Sequence, residues 1–423
     1  MPLNILLISY NYTPELTGIG KYNTEFCEYL AEEGNKADVI TGFPYYPNWK
    51  LFKGYENAYY EKEELNGVNV IRCPVYIPAE PSGLKRMAMD FSFYCSTLLV
   101  VIKKIISRQR YEVVFVPSPS FLIGIHILML RFFWRKTKFV YHIQDLQIDA
   151  ALELGLIKNP WLKNGLLKLE KLILEKSSIV STISEGMRAK VTAKSAVAQV
   201  VYVMPNWVDD KVIYPCKVNV KVIAELGIPA HKKIFFYSGS IGEKQGLEVL
   251  LSIAPKLSLA CPDLVFVISG SGPYRAQLQL EVLRKQINSI LFIDLQPSNI
   301  FNQLLNSVDC HLIIQKKQAA DLLLPSKLTN ILAVGGLSII TAEPETSLFE
   351  IVQKNNLGLV IEPENEESLL ESIQQVYTSL ALNKDSEMIL EIKNNAKAYA
   401  AKHLNKKSII DSFLNYVEEF QLK

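Results

Sequence analysis

Short apolar runs alternate with longer amphipathic ones twice over along this chain, and that alternation restricts the fold more than any other feature. In the first series, strand-like runs fall at residues 5–9, 37–41, 68–72, 113–117, 139–142 and 179–183, with helical periodicity at 21–33, 84–107, 121–133 and 160–176. In the second, strands are expected at 234–237, 264–268, 291–293, 310–314, 337–341 and 358–361, with helices at 246–259, 275–285, 300–307, 326–333 and 366–380. Strands separated by helices predict parallel sheets covered on both faces. The fold class is therefore α/β, with two doubly wound parallel-sheet domains. The break falls in Met204-Pro205-Asn206-Trp207-Val208-Asp209-Asp210, where proline and acidic turn residues interrupt the pattern. Domains of 1–208 and 209–405 follow. Such sheets bind ligands beyond the carboxyl ends of their strands, so both sets of strand-end loops are expected to face a common cleft.

Length and charge agree with this division. A chain of 423 residues, 49% of them hydrophobic, is long enough for two cores. Its 45 basic and 43 acidic residues nearly cancel, which argues against a nucleic-acid binder. The six cysteines form no CxxC pair and stand beside no histidine cluster, so reduced thiols are expected rather than a zinc site or disulfides. The opening Asn4-Ile5-Leu6-Leu7-Ile8-Ser9 lacks a basic lead and a small-residue cleavage site, and reads as a buried strand rather than a signal peptide. The apolar stretches at 91–102 and 121–130 fall short of the roughly 20 residues a membrane span needs. Both read as buried helices.

Four places stand out as candidate chemistry. The first strand runs into a loop carrying Gly18 and Gly20 just before a helix, where backbone amides can approach a phosphate at the positive helix end. The third glycine of a dinucleotide fingerprint is missing. Ser238-Gly239-Ser240-Ile241-Gly242-Glu243-Lys244 repeats the device in the second series and adds a lysine suited to neutralising a diphosphate. Leu324-Pro325-Ser326-Lys327-Leu328-Thr329-Asn330 has a helix start at Pro325 and Ser326. Lys327 in the first turn opposes the helix dipole, a mismatch that a bound phosphate would relieve. Asn330 lies one turn on, on nearly the same face as Ser326. Finally, His142 and Asp145 close a strand of the first domain and are candidates for gripping sugar hydroxyls. An ordinary loop, a solvated lysine, a surface helix and a satisfied core histidine are the respective structural alternatives.

Aromatic and basic residues gather in the first domain. One group runs from Tyr45 through Trp49 to Tyr60, a second includes Lys85, Arg86, Lys103 and Lys104, and a third runs from Arg131 through Trp134 to Lys138. Asp90 is the only acid between Leu84 and Arg110. Such mixtures suit an anionic bilayer surface, although solvated helix faces share the composition.

Taken together, the segments at 11–22, 44–47, 72–78, 142–145, 239–248 and 324–333 resemble the GT-B-fold retaining glycosyltransferases of family 4, and within them the colanic acid biosynthesis group, which is fucosyltransferase-like. The resemblance spans both domains. It implies two Rossmann-like domains, with acceptor bound by the first, nucleotide sugar bound by the second, and a final helix at 406–423 crossing back onto the first. It implies donor contacts from Gly18, Gly20, Gly239, Ser240, Leu324, Ser326 and Asn330, with catalytic roles for His142, Asp145, Lys244 and Lys327. The implied partners are a nucleoside-diphosphate sugar, a lipid-linked saccharide acceptor and an anionic membrane surface. No metal or other cofactor is expected, and the protein would be cytoplasmic, peripheral on the inner face of the plasma membrane. Fucose from GDP-fucose is the donor the resemblance suggests. The chain departs from the family in two places. Two glutamates eight positions apart are usual, but here Leu322 and Asn330 occupy those positions, and Ser240 replaces the usual arginine. A non-catalytic scaffold in a polysaccharide assembly complex and a nucleotide-sugar 2-epimerase are the competing readings.

Overall fold

The computed structural model describes all residues except 1, 16–17, 48, 81, 154, 156, 158, 195–199, 230, 318–325, 383–385 and 422–423. The chain divides into two compact units. Unit 1 comprises Met1–Met204 with Ile410–Lys423, and unit 2 comprises Pro205–Ile409. The change from one to the other thus lies inside the proline-punctuated segment, a few residues before position 208.

Unit 1 contains eight strands, β1 (Asn4–Ile8), β2 (Lys36–Gly42), β3 (Glu61–Leu65), β4 (Val68–Cys73), β5 (Val113–Ser118), β6 (Lys138–Ile143), β7 (Ile179–Thr182) and β8 (Tyr202–Val203). They lie in the order β3-β4-β2-β1-β5-β6-β7-β8. All neighbours are parallel except β3, which runs antiparallel to β4. The central strands carry Val, Ile, Leu and Phe on consecutive positions because both sheet faces are covered, which leaves Ile5 to Ile8 and Val113 to Val116 buried. The covering helices are α1 (Ile19–Glu32), α2 (Gly83–Ile106), α3 (Ile125–Phe133), α4 (Gln147–Glu153), α5 (Pro160–Lys176) and α6 (Glu185–Lys194).

Unit 2 adds α7 (Val220–Glu225), α8 (Glu248–Leu257), α9 (Arg275–Arg284), α10 (Ser298–Ser307), α11 (Ser326–Val334), α12 (Ser347–Lys354), α13 (Glu366–Leu382) and α14 (Glu387–His403). Its strands are β9 (Lys233–Ser238), β10 (Leu264–Ser269), β11 (Ile290–Ile293), β12 (Cys310–Ile313), β13 (Ser338–Thr341) and β14 (Leu359–Ile361). They form one wholly parallel sheet in the order β11-β10-β9-β12-β13-β14. Separate apolar cores cover its two faces, one around Phe235, Leu250 and Phe266, the other around Phe236, Leu304 and Leu328.

The last helix, α15 (Lys406–Glu419), begins at the end of unit 2, and from Ile410 onward it belongs to unit 1. Phe413 packs against Phe26, Phe115 and Tyr202 with centroids 5.6–6.3 Å apart. Tyr29 donates to Asp411, and the Lys138 ammonium binds the carbonyls of Val417 and Glu418 at the helix's negative end.

Several features differ from the sequence expectation, among them the stretch 91–102, read as buried, where Phe91 and Leu99 of α2 are exposed. The charged run Glu61-Lys62-Glu63-Glu64-Leu65 is an edge strand, where lysine and glutamate are tolerated because one side of the strand faces no neighbour. Lys104 is a buried network residue, binding Asp38 at 3.0 Å and the Tyr111 hydroxyl at 2.6 Å, so it contributes nothing to a basic surface. Trp134 is buried against Tyr111. Among the described residues, no helix is long and apolar enough to cross a membrane.

Candidate active site

In each unit the strand order reverses at a central strand, β1 in unit 1 and β9 in unit 2, and at such points an open α/β sheet splays its loops apart to leave a crevice. Candidate residues collect at both.

In unit 2 the loops that follow β9 and β10 run side by side. The Gly239 amide donates to Ser269 O at 3.0 Å and the Ile241 amide to Ser271 O at 2.9 Å. This approach needs glycine. A Cβ on Gly270 would lie 1.8 Å from Gly239 O, and one on Gly272 would lie 2.2 Å from Ile241 O. Gly239 itself has φ +140°, which a side chain would strain. Sequence reading singled out Gly239 but not Gly270 or Gly272, whose function is to let the two loops touch.

Lys327 is the second residue of α11, as the helix-start signal predicts. Its ammonium lies 4.1 Å from the centroid of the Tyr237 ring and close to Gly239, where a Cβ would be 3.9 Å away. No carboxylate among the described residues pairs with it. Loss of water around the ammonium pushes its pKa down to about 7. Tyr237 donates its hydroxyl to Ser240 O at 2.6 Å, which ties the ring to the loop beneath the lysine. Ser240 is exposed. One turn beyond Lys327, Asn330 has its side-chain oxygen buried with no hydrogen-bond partner among the described residues. A buried amide oxygen is seldom left unpaired without a reason. Leu324, Leu322 and Pro325 lie outside the described residues. Ser326 opens α11, and its side chain is likewise not described.

Lys244 precedes α8, in a 3-10 turn at Glu243–Gln245 where it is exposed. Its carbonyl accepts from the Lys316 amide at 3.0 Å. A cavity of about 290 Å³ lies toward β13 and β14, lined by Glu248, Lys316, Thr341 and Glu366 among others, and it includes neither Lys327 nor Asn330.

In unit 1 the glycine pair has a structural task. Gly18 caps α1 with φ +64°, and Gly20 lies within the first turn rather than before the helix. A Cβ on Gly20 would lie 3.2 Å from Glu15. Glu15, which sequence reasoning passed over, is 2% exposed. It accepts from the amides of Tyr45 and Tyr46 at 2.8 and 2.9 Å and from Asn11 Nδ2 at 2.7 Å. Burial raises its pKa despite these donors. Gly20 therefore leaves room for a buried carboxylate that locks the loops after β1 and β2 together.

His142 is 3% exposed near the end of β6, with Nδ1 2.9 Å from Ser181 Oγ and its ring tilted against Phe115. Burial pushes its pKa down to about 3, so the ring is neutral and Nε2 is the atom left for any ligand. Asp145 is exposed, and its carbonyl accepts from Ser118 Oγ at 3.4 Å.

Comparison with known proteins gives these crevices a chemical context. Residues 17–207 match the family described as glycosyl transferase 4-like domain, and residues 220–399 match glycosyl transferases group 1. A curated relative from Escherichia coli (strain K12), named colanic acid biosynthesis glycosyl transferase WcaI, is 36% identical over 98% of this chain and 99% of its own. The chain is a member of the glycosyltransferase family. Its fold is that of the GT-B glycosyltransferases. Sucrose-phosphate synthase from Thermosynechococcus elongatus superposes with TM-score 0.74 at 17% identity, covering 99% of this chain and 98% of the other. Anabaena Alr3699/HepE, solved in complex with UDP and glucose, superposes with TM-score 0.70 at 14% identity, covering 99% and 100%.

Proposed function

We propose that this glycosyltransferase moves a sugar, with retention of anomeric configuration and without a metal ion, from a nucleoside-diphosphate sugar to a lipid-linked saccharide during exopolysaccharide assembly. The observation that carries the donor half is Lys327, a desolvated ammonium without a carboxylate partner among the described residues, set against the glycine-lined ends of β9 and β10. A diphosphate would supply the missing negative charge. The Lys327 ammonium and the first-turn amides of α11 would then face the charge that develops as the glycosidic oxygen leaves. Asn330 would accept from a ribose hydroxyl through its unpaired oxygen. His142 would orient the sugar through Nε2, with Nδ1 fixed by Ser181. Lys244, exposed on its turn, would approach the diphosphate only once donor is bound. Asp145 would contact saccharide hydroxyls from the loop after β6.

The colanic acid role named for the Escherichia coli relative supports the exopolysaccharide reading, and the UDP held by the Anabaena protein supports the donor class. The acceptor reading draws on α2, whose first turns expose Leu84, Met87 and Phe91 beside Lys85 and Arg86. That mixture suits the cytoplasmic face of an anionic membrane. The test is transfer of radiolabel from UDP- and GDP-sugars, GDP-fucose included, into lipid extracts in the presence of EDTA. Label in the lipid fraction with an unchanged anomeric configuration is expected. Nucleotide binding without transfer to any lipid would instead favour a scaffold.

A further inference from the structure

The crevice of unit 1 holds a carboxylate that the reading above leaves unused. Asp90 projects from α2 to the end of the sheet, where its two oxygens meet different donors. The Tyr10 hydroxyl donates to Oδ1, and Gln147 Nε2 donates to Oδ2 at 3.1 Å. Both donors are themselves fixed. The Tyr10 ring stacks on Phe93 with centroids 4.3 Å apart, and Gln147 Oε1 accepts from the Phe121 amide at 2.9 Å, which turns Nε2 toward Asp90.

These partners come from the carboxyl ends of three adjacent strands. Tyr10 follows β1, Phe121 follows β5, and Gln147 opens α4 after β6. Between β1 and β5 the strand order reverses, which is where an open α/β sheet binds its ligand. Three other buried or half-buried acids of this unit are paired with cations, whereas Glu15 is held by neutral donors alone. Lys104 pairs with Asp38, Arg72 with Glu63, and Lys194 with Glu170. Asp90 has no ion pair among the described residues. The guanidinium of Arg86, one turn earlier, is turned onto the Trp49 ring at 5.1 Å. Burial accordingly pushes the Asp90 carboxyl up to about 6, above the usual carboxylate range. A half-buried carboxylate held in place by neutral donors, with lone pairs to spare, suits the recognition of neutral hydroxyl groups.

We propose that Asp90, held by Tyr10 and Gln147, is a saccharide-binding residue of unit 1 that accepts hydrogen bonds from hydroxyls of the acceptor sugar. This rests on the transferase reading and assigns its acceptor side a specific group. The test is saturation-transfer NMR of the full chain with methyl glycosides of glucose, galactose and fucose, with nucleotide binding measured calorimetrically on the same samples. At least one glycoside should bind the parent protein. Asp90→Asn, which keeps the shape but weakens the acceptor, should bind it at least tenfold more weakly with nucleotide affinity unchanged. Tyr10→Phe should cause a smaller loss, because it releases the carboxylate without removing it. Unchanged glycoside binding in Asp90→Asn, or no glycoside binding to the parent, would overturn the proposal while leaving the donor reading standing. Loss of nucleotide binding by the parent protein would instead indict the donor reading.

Discussion

The ammonium of Lys327 lies 4.1 Å from the centroid of the Tyr237 ring. A cation over an aromatic face gains about 0.5–2 kcal/mol, too little to offset the loss of water by itself. A bound anion, as the proposed function requires, would offset the rest. Lys327→Ala should weaken nucleoside-diphosphate binding by at least tenfold, in keeping with about 1.5–3 kcal/mol for a charge-assisted hydrogen bond. Calorimetric titration of both proteins checks this.

The same lysine sets a pH dependence. Its folded pKa, about 7, lies below that of the unfolded chain, so between these values the unfolded state binds more protons. Its unfavourable contribution to stability is full below about pH 7 and fades as pH rises toward the ordinary lysine range. Urea unfolding of the ligand-free protein should show this rise, and Lys327→Met should flatten it. A bound diphosphate favours the charged form. Affinity for a nucleoside-diphosphate sugar, whose own phosphates do not titrate near neutrality, should fall as pH rises above about 7. Proton uptake on binding, seen as a dependence of binding heat on the buffer, should vanish in Lys327→Ala.

Glu15 joins two loops of unit 1 through three hydrogen bonds. Glu15→Ala strands the buried Tyr45 amide and its neighbour, and an orphaned buried donor costs about 1–3 kcal/mol. Glu15→Gln keeps an acceptor for both amides and should cost less. Thermal melts of the pair should separate in that order.

Gly270 permits the contact between the β9 and β10 loops. In Gly270→Ala the added methyl would lie 1.8 Å from Gly239 O, so the loops must part. We expect a loss of about 1–3 kcal/mol in stability, by analogy with other strained backbone sites, and a further loss of nucleotide affinity. Denaturant midpoints and calorimetry read the two effects separately.

The exposed start of α2 gives a membrane prediction. Leu84 is 81% exposed and Phe91 62%, beside Lys85 and Arg86. Co-sedimentation with phosphatidylglycerol vesicles should fall several-fold in Leu84→Ser/Phe91→Ser and weaken with added salt, as insertion plus attraction to anionic lipid requires.

What could be read beforehand followed local information. β1 and β9 are legible because strands buried on both faces are apolar without interruption, and the start of α11 is legible because its cap signals are adjacent in sequence. β3 is charged throughout except for its last residue, and β8 is two residues long, so neither carries a hydrophobic pattern. Lys104 reads as a surface cation because its partner Asp38 stands 66 residues away. Asp90 was visible only as a lone acid in a basic helix, since its partners Tyr10 and Gln147 lie 80 and 57 residues away. Lys327 was legible, but the Tyr237 ring beneath it was not. Helix starts are local signals, whereas contacts between the end of β9 and α11 arise only from the sheet order.

The most direct test of the central claim is calorimetric titration of the full chain with UDP- and GDP-sugars in EDTA, parent protein against Lys327→Ala. The account predicts that one nucleotide class binds the parent without metal and binds the variant at least tenfold more weakly. Equal binding to both proteins, or binding that appears only when a divalent metal is restored, would contradict it.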